Sequence, residues 1–132
     1  MAGFGSGSTE FRMLRSFSAS IGADPLLVQG AGGNTSIKQD GVLWIKASGT
    51  WLMNALTGDI MVPVALEPLL DALAHRSDAA EKAGQFTLEE LNPRRLRPSI
   101  ETTVHALMRQ KIVVHVHCVE TISIAVQANA EA

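Results

Sequence analysis

Thr35-Ser36-Ile37-Lys38, then Gln39-Asp40-Gly41, then Val42-Leu43-Trp44-Ile45-Lys46-Ala47: this stretch decides the fold. Its two arms are rich in β-branched and aromatic residues, which favour strands. The Asp-Gly pair between them is the turn signal of a hairpin. An antiparallel pair of strands is therefore expected over Thr35–Lys38 and Val42–Ala47. Ser48-Gly49-Thr50 ends the second arm.

Working outward, Glu10–Ile21 reads as an amphipathic helix. Phe11, Leu14, Phe17, Ser18 and Ile21 share one face, with Thr9 as the N-cap and Gly22 as the stop. Gly30-Ala31-Gly32-Gly33-Asn34 reads as a flexible loop whose backbone N–H groups can approach a ligand closely. Met61–Val64 reads as a third strand. Ala65–Arg76 reads as a helix with Leu66, Leu69, Leu70 and Leu73 on one stripe. Ser77–Gln85 and Asn92–Pro98 read as irregular. Ser99 opens a further helix, with Ile100, Val104, Leu107 and Met108 at helical spacing through Gln110. Ile112–Val119 is expected to be a strand and Thr121–Asn129 another helix. Hairpin and helices together predict an α/β domain with a partly antiparallel sheet.

Val113-Val114-His115-Val116-His117 carries the chemistry. Alternate side chains on a strand share a face, so the two histidines stand roughly 7 Å apart, close enough to bind one ion. The same pattern also fits two histidines hydrogen-bonded in a structural role. Ile112, Val114 and Val116 point the other way, towards a core, and Cys118 is expected there as a buried thiol. Glu101 and His105, four residues apart, share a helix face. They form either an ordinary side-chain pair or a carboxylate presented into a site above the strand. His75 reads as a surface residue or a helix C-cap. Trp44 and Trp51 read as core or interface residues.

Three weaker signals point to an anion. Gly32-Gly33-Asn34-Thr35-Ser36 offers backbone and side-chain donors. Ser48-Gly49 closes a strand, and Ser99 begins a helix whose free N–H groups attract negative charge. Each also fits a plain turn or cap. Neither the dinucleotide G-x-G-x-x-G pattern nor a P-loop is present.

Composition removes other classes. The 132 residues are 46% hydrophobic and 18% charged, with net charge −2. That suits one globular domain and gives no footprint for nucleic acid or an anionic membrane. No apolar run approaches the ~20 residues of a membrane span. One cysteine, Cys118, excludes an internal disulfide, so a cytoplasmic protein is expected. Residues 1–8 are Gly/Ser-rich and read as an unstructured start or an expression remnant, leaving 9–132 as the domain.

Four ordered blocks resemble the class II aldolase/adducin family: Gly33-Asn34-Thr35-Ser36, Lys46-Ala47-Ser48-Gly49, Pro98-Ser99-Ile100-Glu101 with His105, and His115-Val116-His117. The similarity runs over roughly Phe11 to Ala132. Ala-Ser-Gly-Thr-Trp-Leu and Pro-Ser-Ile-Glu-Thr look closest to the aldolase part of bifunctional rhamnulose-phosphate aldolase/dehydrogenase proteins. The resemblance implies an α/β/α sandwich around a mainly antiparallel sheet. It implies Zn²⁺, or another divalent ion, on His115, His117 and a third histidine. It implies Glu101 as acid/base, and phosphate held by Gly33, Asn34, Ser48, Gly49 and Ser99. Ile100 stands where the family commonly has a second serine, so one hydroxyl donor is absent.

The implied activity is reversible retro-aldol cleavage of a ketose 1-phosphate to dihydroxyacetone phosphate and an aldehyde. The sugar phosphate is the implied partner, and the intact protein is expected to be a homo-oligomer, commonly a tetramer. A 4-epimerase or dehydratase on the same scaffold is an alternative; a non-catalytic adducin-like module or inactive fragment is another. No histidine follows His117. The chain is therefore expected to be an incomplete, C-terminally truncated domain, with the third ligand downstream.

Overall fold

The computed structural model describes residues 8–127. The first helix, α1 (Thr9–Gly22), is capped by Ser8, whose Oγ accepts the Phe11 N–H at 3.0 Å. The cap thus lies one residue before the expected Thr9. Strand β1 (Asn34–Gln39) pairs antiparallel with β2 (Val42–Lys46). Gln39 stands opposite Val42, so Asp40 and Gly41 form a two-residue loop. Both have positive φ, 50° and 78°, as a type I′ hairpin turn requires.

Strand β3 (Met61–Ala65) and helix α2 (Leu66–Ala74) follow, then short 3₁₀ turns, helix α3 (Thr102–Leu107), strand β4 (Ile112–His115) and helix α4 (Val119–Ala125). The sheet order is β3-β2-β1-β4, and every neighbouring pair is antiparallel. Strand β4 therefore joins the hairpin at its first arm, bringing His115 opposite Asn34.

Alternation along β2 builds two cores. Val42 and Trp44 face α1, where Phe11 meets Trp44 edge-to-face at 5.3 Å. Leu43 and Ile45 face the other way, against Leu69 of α2 and Ala106 of α3. Burial of both sheet faces makes the architecture an α/β/α sandwich, as expected. Among the described residues, no helix is long and apolar enough to cross a membrane.

Several boundaries differ from the sequence reading. Strand β4 stops at His115, not Val119. Beyond it the chain leaves β1: the N–H of His117 bonds to Leu27 O at 2.7 Å and that of Val119 to Leu26 O at 2.8 Å. Helix α3 is shorter than expected, and its apolar row is turned outward, with Ile100 93% exposed. Its buried face is instead Thr102, His105 and Ala106. The expected helix Thr121–Asn129 begins earlier, at Val119; its last two residues lie outside those described. Ile112 and Val114 do face away from α3, but they are half-exposed because β4 is an edge strand beyond the reach of α1. Cys118 is partly exposed at the start of α4, where a buried thiol was expected.

A candidate anion and metal site at the head of helix α3

Four segments converge on a cleft of about 330 Å³: the loop after α1, the end of β2, the head of α3 and His117 beyond the end of β4. Backbone bonds lock the second and third together. Ser48 N–H donates to Arg97 O at 2.8 Å, Ser99 N–H donates to Lys46 O at 3.1 Å, and Ala47 bridges to Pro98. These bonds use the N–H groups of Ser48 and Ser99, so those residues offer a bound anion their hydroxyls. Gly49 lines the same cleft in the left-handed region at φ 80°, and its N–H has no partner among the described residues.

Gly33, Asn34, Ser48, Gly49 and Ser99 all line this one cleft, and so do Glu101 and His117. Residues separated by 84 positions are thus brought to one place. A further lining residue is Lys46, a residue to which the sequence alone assigns no role. It is 2% exposed, and among the described residues it is the only buried Lys, Arg, Asp or Glu. Its Nζ donates to Ala31 O at 2.8 Å and Thr50 O at 2.6 Å. One ammonium thereby ties the loop after α1 to the loop after β2. Burial pulls the ammonium below the ordinary lysine value, and the nearby Glu101 carboxylate opposes that shift. The signal in the sequence was a lysine closing the apolar run Leu43-Trp44-Ile45, directly before Ala-Ser-Gly.

Glu101 occupies the N-cap position of α3, and its backbone N–H donates to Ser99 Oγ at 3.1 Å. Its carboxylate is held from two sides. Asn34 Nδ2 donates to one oxygen, and His115 Nδ1 lies 2.5 Å from the other. Asn34 is 6% exposed, and its own Oδ1 is buried with no partner among the described residues. His105 forms no hydrogen bond or ion pair with Glu101 among the described residues. It is 1% exposed and meets Ser36 Oγ through Nδ1 at 2.6 Å. Burial lowers its pKa to about 4, against a weaker pull from Glu101, so the imidazole is neutral at pH 7. His75 is exposed and caps α2, with Nδ1 at 2.7 Å from Asp71 O.

The rings of His115 and His117 lie with centroids 4.9 Å apart, edge to face. They converge although only His115 belongs to the strand. Two imidazoles suit a borderline ion such as Zn²⁺. Since Glu101 occupies Nδ1 of His115, Nε2 of that ring is the nitrogen left for an ion. Among the described residues, no group of three His, Cys, Asp or Glu side chains is arranged to hold a metal. Two imidazoles are one fewer than the three protein ligands of a catalytic zinc.

Residues 19–132 match the family described as the Class II Aldolase and Adducin N-terminal domain. Among solved structures, the N-terminal class II aldolase domain of a conserved protein from Thermoplasma acidophilum is similar, with 30% identity and a TM-score of 0.70. The match covers 87% of this chain and 58% of that one. Comparison with curated proteins gave no match. With this sheet order and the family match over most of its length, the chain belongs to the class II aldolase and adducin N-terminal domain family.

Proposed function

We propose that this domain is the catalytic N-terminal portion of a metal-dependent aldolase acting on a phosphorylated ketose. The observation that carries this reading is the shared position of Glu101. Its carboxylate lies between Asn34 and His115, on the rim of the cleft that holds Lys46.

The chain's own residues then divide the work. Lys46 supplies the positive charge for the phosphate. The hydroxyls of Ser48 and Ser99 and the N–H of Gly49 donate to its oxygens. Gly33 keeps the loop after α1 close, and Asn34 orients the carboxylate. Binding the phosphate fixes the ketone end of the substrate beside Glu101, and such positioning removes much of the entropic barrier. Glu101 exchanges a proton with the carbon next to the ketone, taking it in the synthesis direction and returning it after cleavage. His115 and His117 are the residues that would hold a divalent ion, which when bound polarises the ketone oxygen as a Lewis acid.

The test is Glu101→Gln with metal content measured alongside. Turnover of ketose phosphates, compared at saturating metal so that the lost contact to His115 does not enter, should fall by about 100-fold or more, the usual scale for losing a positioned acid/base group. Near wild-type turnover would remove Glu101 from this role. Chromatography of the products separates cleavage from epimerisation or dehydration.

A further inference from the structure

Helix α3 carries Glu101 at its head, yet little apolar burial holds it down. It has six residues, too few to be stable alone. Val104 and Leu107 are 57% and 60% exposed, and Ala106 is its buried apolar side chain. The other buried residues, Thr102 and His105, are polar. Thr102 bonds locally, from Oγ1 to Ser99 O at 2.5 Å. Beside the apolar contact of Ala106, His105 is the helix residue whose side chain hydrogen-bonds to the sheet, through Ser36.

The two contacts between α3 and β1 have matching spacing. Asn34 and Ser36 are two residues apart on one face of β1, roughly 7 Å along the strand. Glu101 and His105 are four residues apart, about 6 Å along the helix. Asn34 meets Glu101, and Ser36 meets His105. The helix therefore lies along the strand on two parallel rungs. One rung is in the cleft; the other is buried beneath it.

We infer that His105, acting through Ser36, is a positioning residue that holds the Glu101 carboxylate against Asn34 and His115. The inference rests on the proposed acid/base reading for its functional meaning, but its physical content is the coupling of the two rungs. Ser36 is 0% exposed, so without an imidazole partner its hydroxyl would be buried and unpaired. The helix can then tilt about the backbone bond from Ser99 to Lys46, and the Glu101 side chain turns with it.

The experiment is solution NMR of the metal-free chain, reading the Asn34 side-chain amide and the Glu101 carboxyl carbon. Wild type is compared with Ser36→Ala, His105→Leu, the double variant and His105→Asn, with thermal melts to show folding. Both signals should move towards free side-chain values in Ser36→Ala and His105→Leu. The double variant should move no further than the larger single. His105→Asn, whose amide takes the place of Nδ1, should restore the wild-type positions. A folded Ser36→Ala with both signals unmoved overturns the coupling, and that variant decides alone if His105→Leu does not fold. Failure of the acid/base reading is separable: it appears as turnover retained in Glu101→Gln, with this spectrum unaffected.

Discussion

Gly32 stands against the ring of His117: a Cβ built on Gly32 would lie 3.2 Å from Nδ1 and 3.0 Å from Gln29 O. The glycine loop therefore sets where the second histidine can sit. Gly32→Ala should leave the fold intact, because the change falls in a loop, but displace the imidazole by a few tenths of an ångström. Metal affinity should drop by about 10-fold, the lower end of what disturbing a ligand's support produces. Calorimetric titration with Zn²⁺ at fixed pH checks this. Unchanged affinity would show that the loop yields instead of the ring.

Lys46 is predicted to separate anion binding from folding. Lys46→Met keeps the length of the buried stem and removes the charge and both carbonyl bonds. Inorganic phosphate should bind about 10- to 100-fold more weakly, the range for hydrogen bonds to a charged group. Sulfate, of similar shape, should weaken in parallel. Equal phosphate binding by the folded variant and wild type would place the anion elsewhere.

The neutral state of His105 makes stability depend on pH. Its folded pKa, about 4, is depressed below the unfolded value of 6.5. Between those values the unfolded chain takes up a proton that the folded chain refuses. Stability is therefore full above pH 6.5 and lost as pH falls towards 4, by up to about 3 kcal/mol. Urea unfolding from pH 7.5 to 4.5 should show the loss beginning well above the carboxylate range. His105→Asn should lack that early phase; parallel curves for the two proteins would argue against it.

Gly22 is required by packing. A Cβ there would lie 2.3 Å from Met53 N and 2.6 Å from Leu52 C, both backbone atoms. Gly22→Ala should destabilise by about 1–3 kcal/mol, the usual scale for overpacking, although alanine is the better helix former. Thermal melting reads this directly. A variant at least as stable as wild type would mean that α1 moves off the 3₁₀ turn Leu52–Asn54 without loss.

Much of the architecture was written locally. Asp40-Gly41 specifies a two-residue hairpin because both positions adopt positive φ, and alternation along Leu43-Trp44-Ile45 specifies two buried faces. The order of the Gly-Asn, Ser-Gly, Ser-Ile-Glu and His-x-His blocks was enough to suggest the family, because each block keeps its own short-range spacing. The sequence could not show that Gly22 is a contact point and not only a helix end, since the offending atoms belong to Leu52 and Met53. Nor could it show that the apolar row of α3 faces outward: periodicity marks a face but not the side on which the sheet lies. The meeting of Asn34, Glu101 and His115 depends on β4 pairing with β1 across 81 positions, a choice made by the sheet as a whole. Lys46 gained its partners in the same way, because its two carbonyls come from loops that only the assembled sandwich brings together.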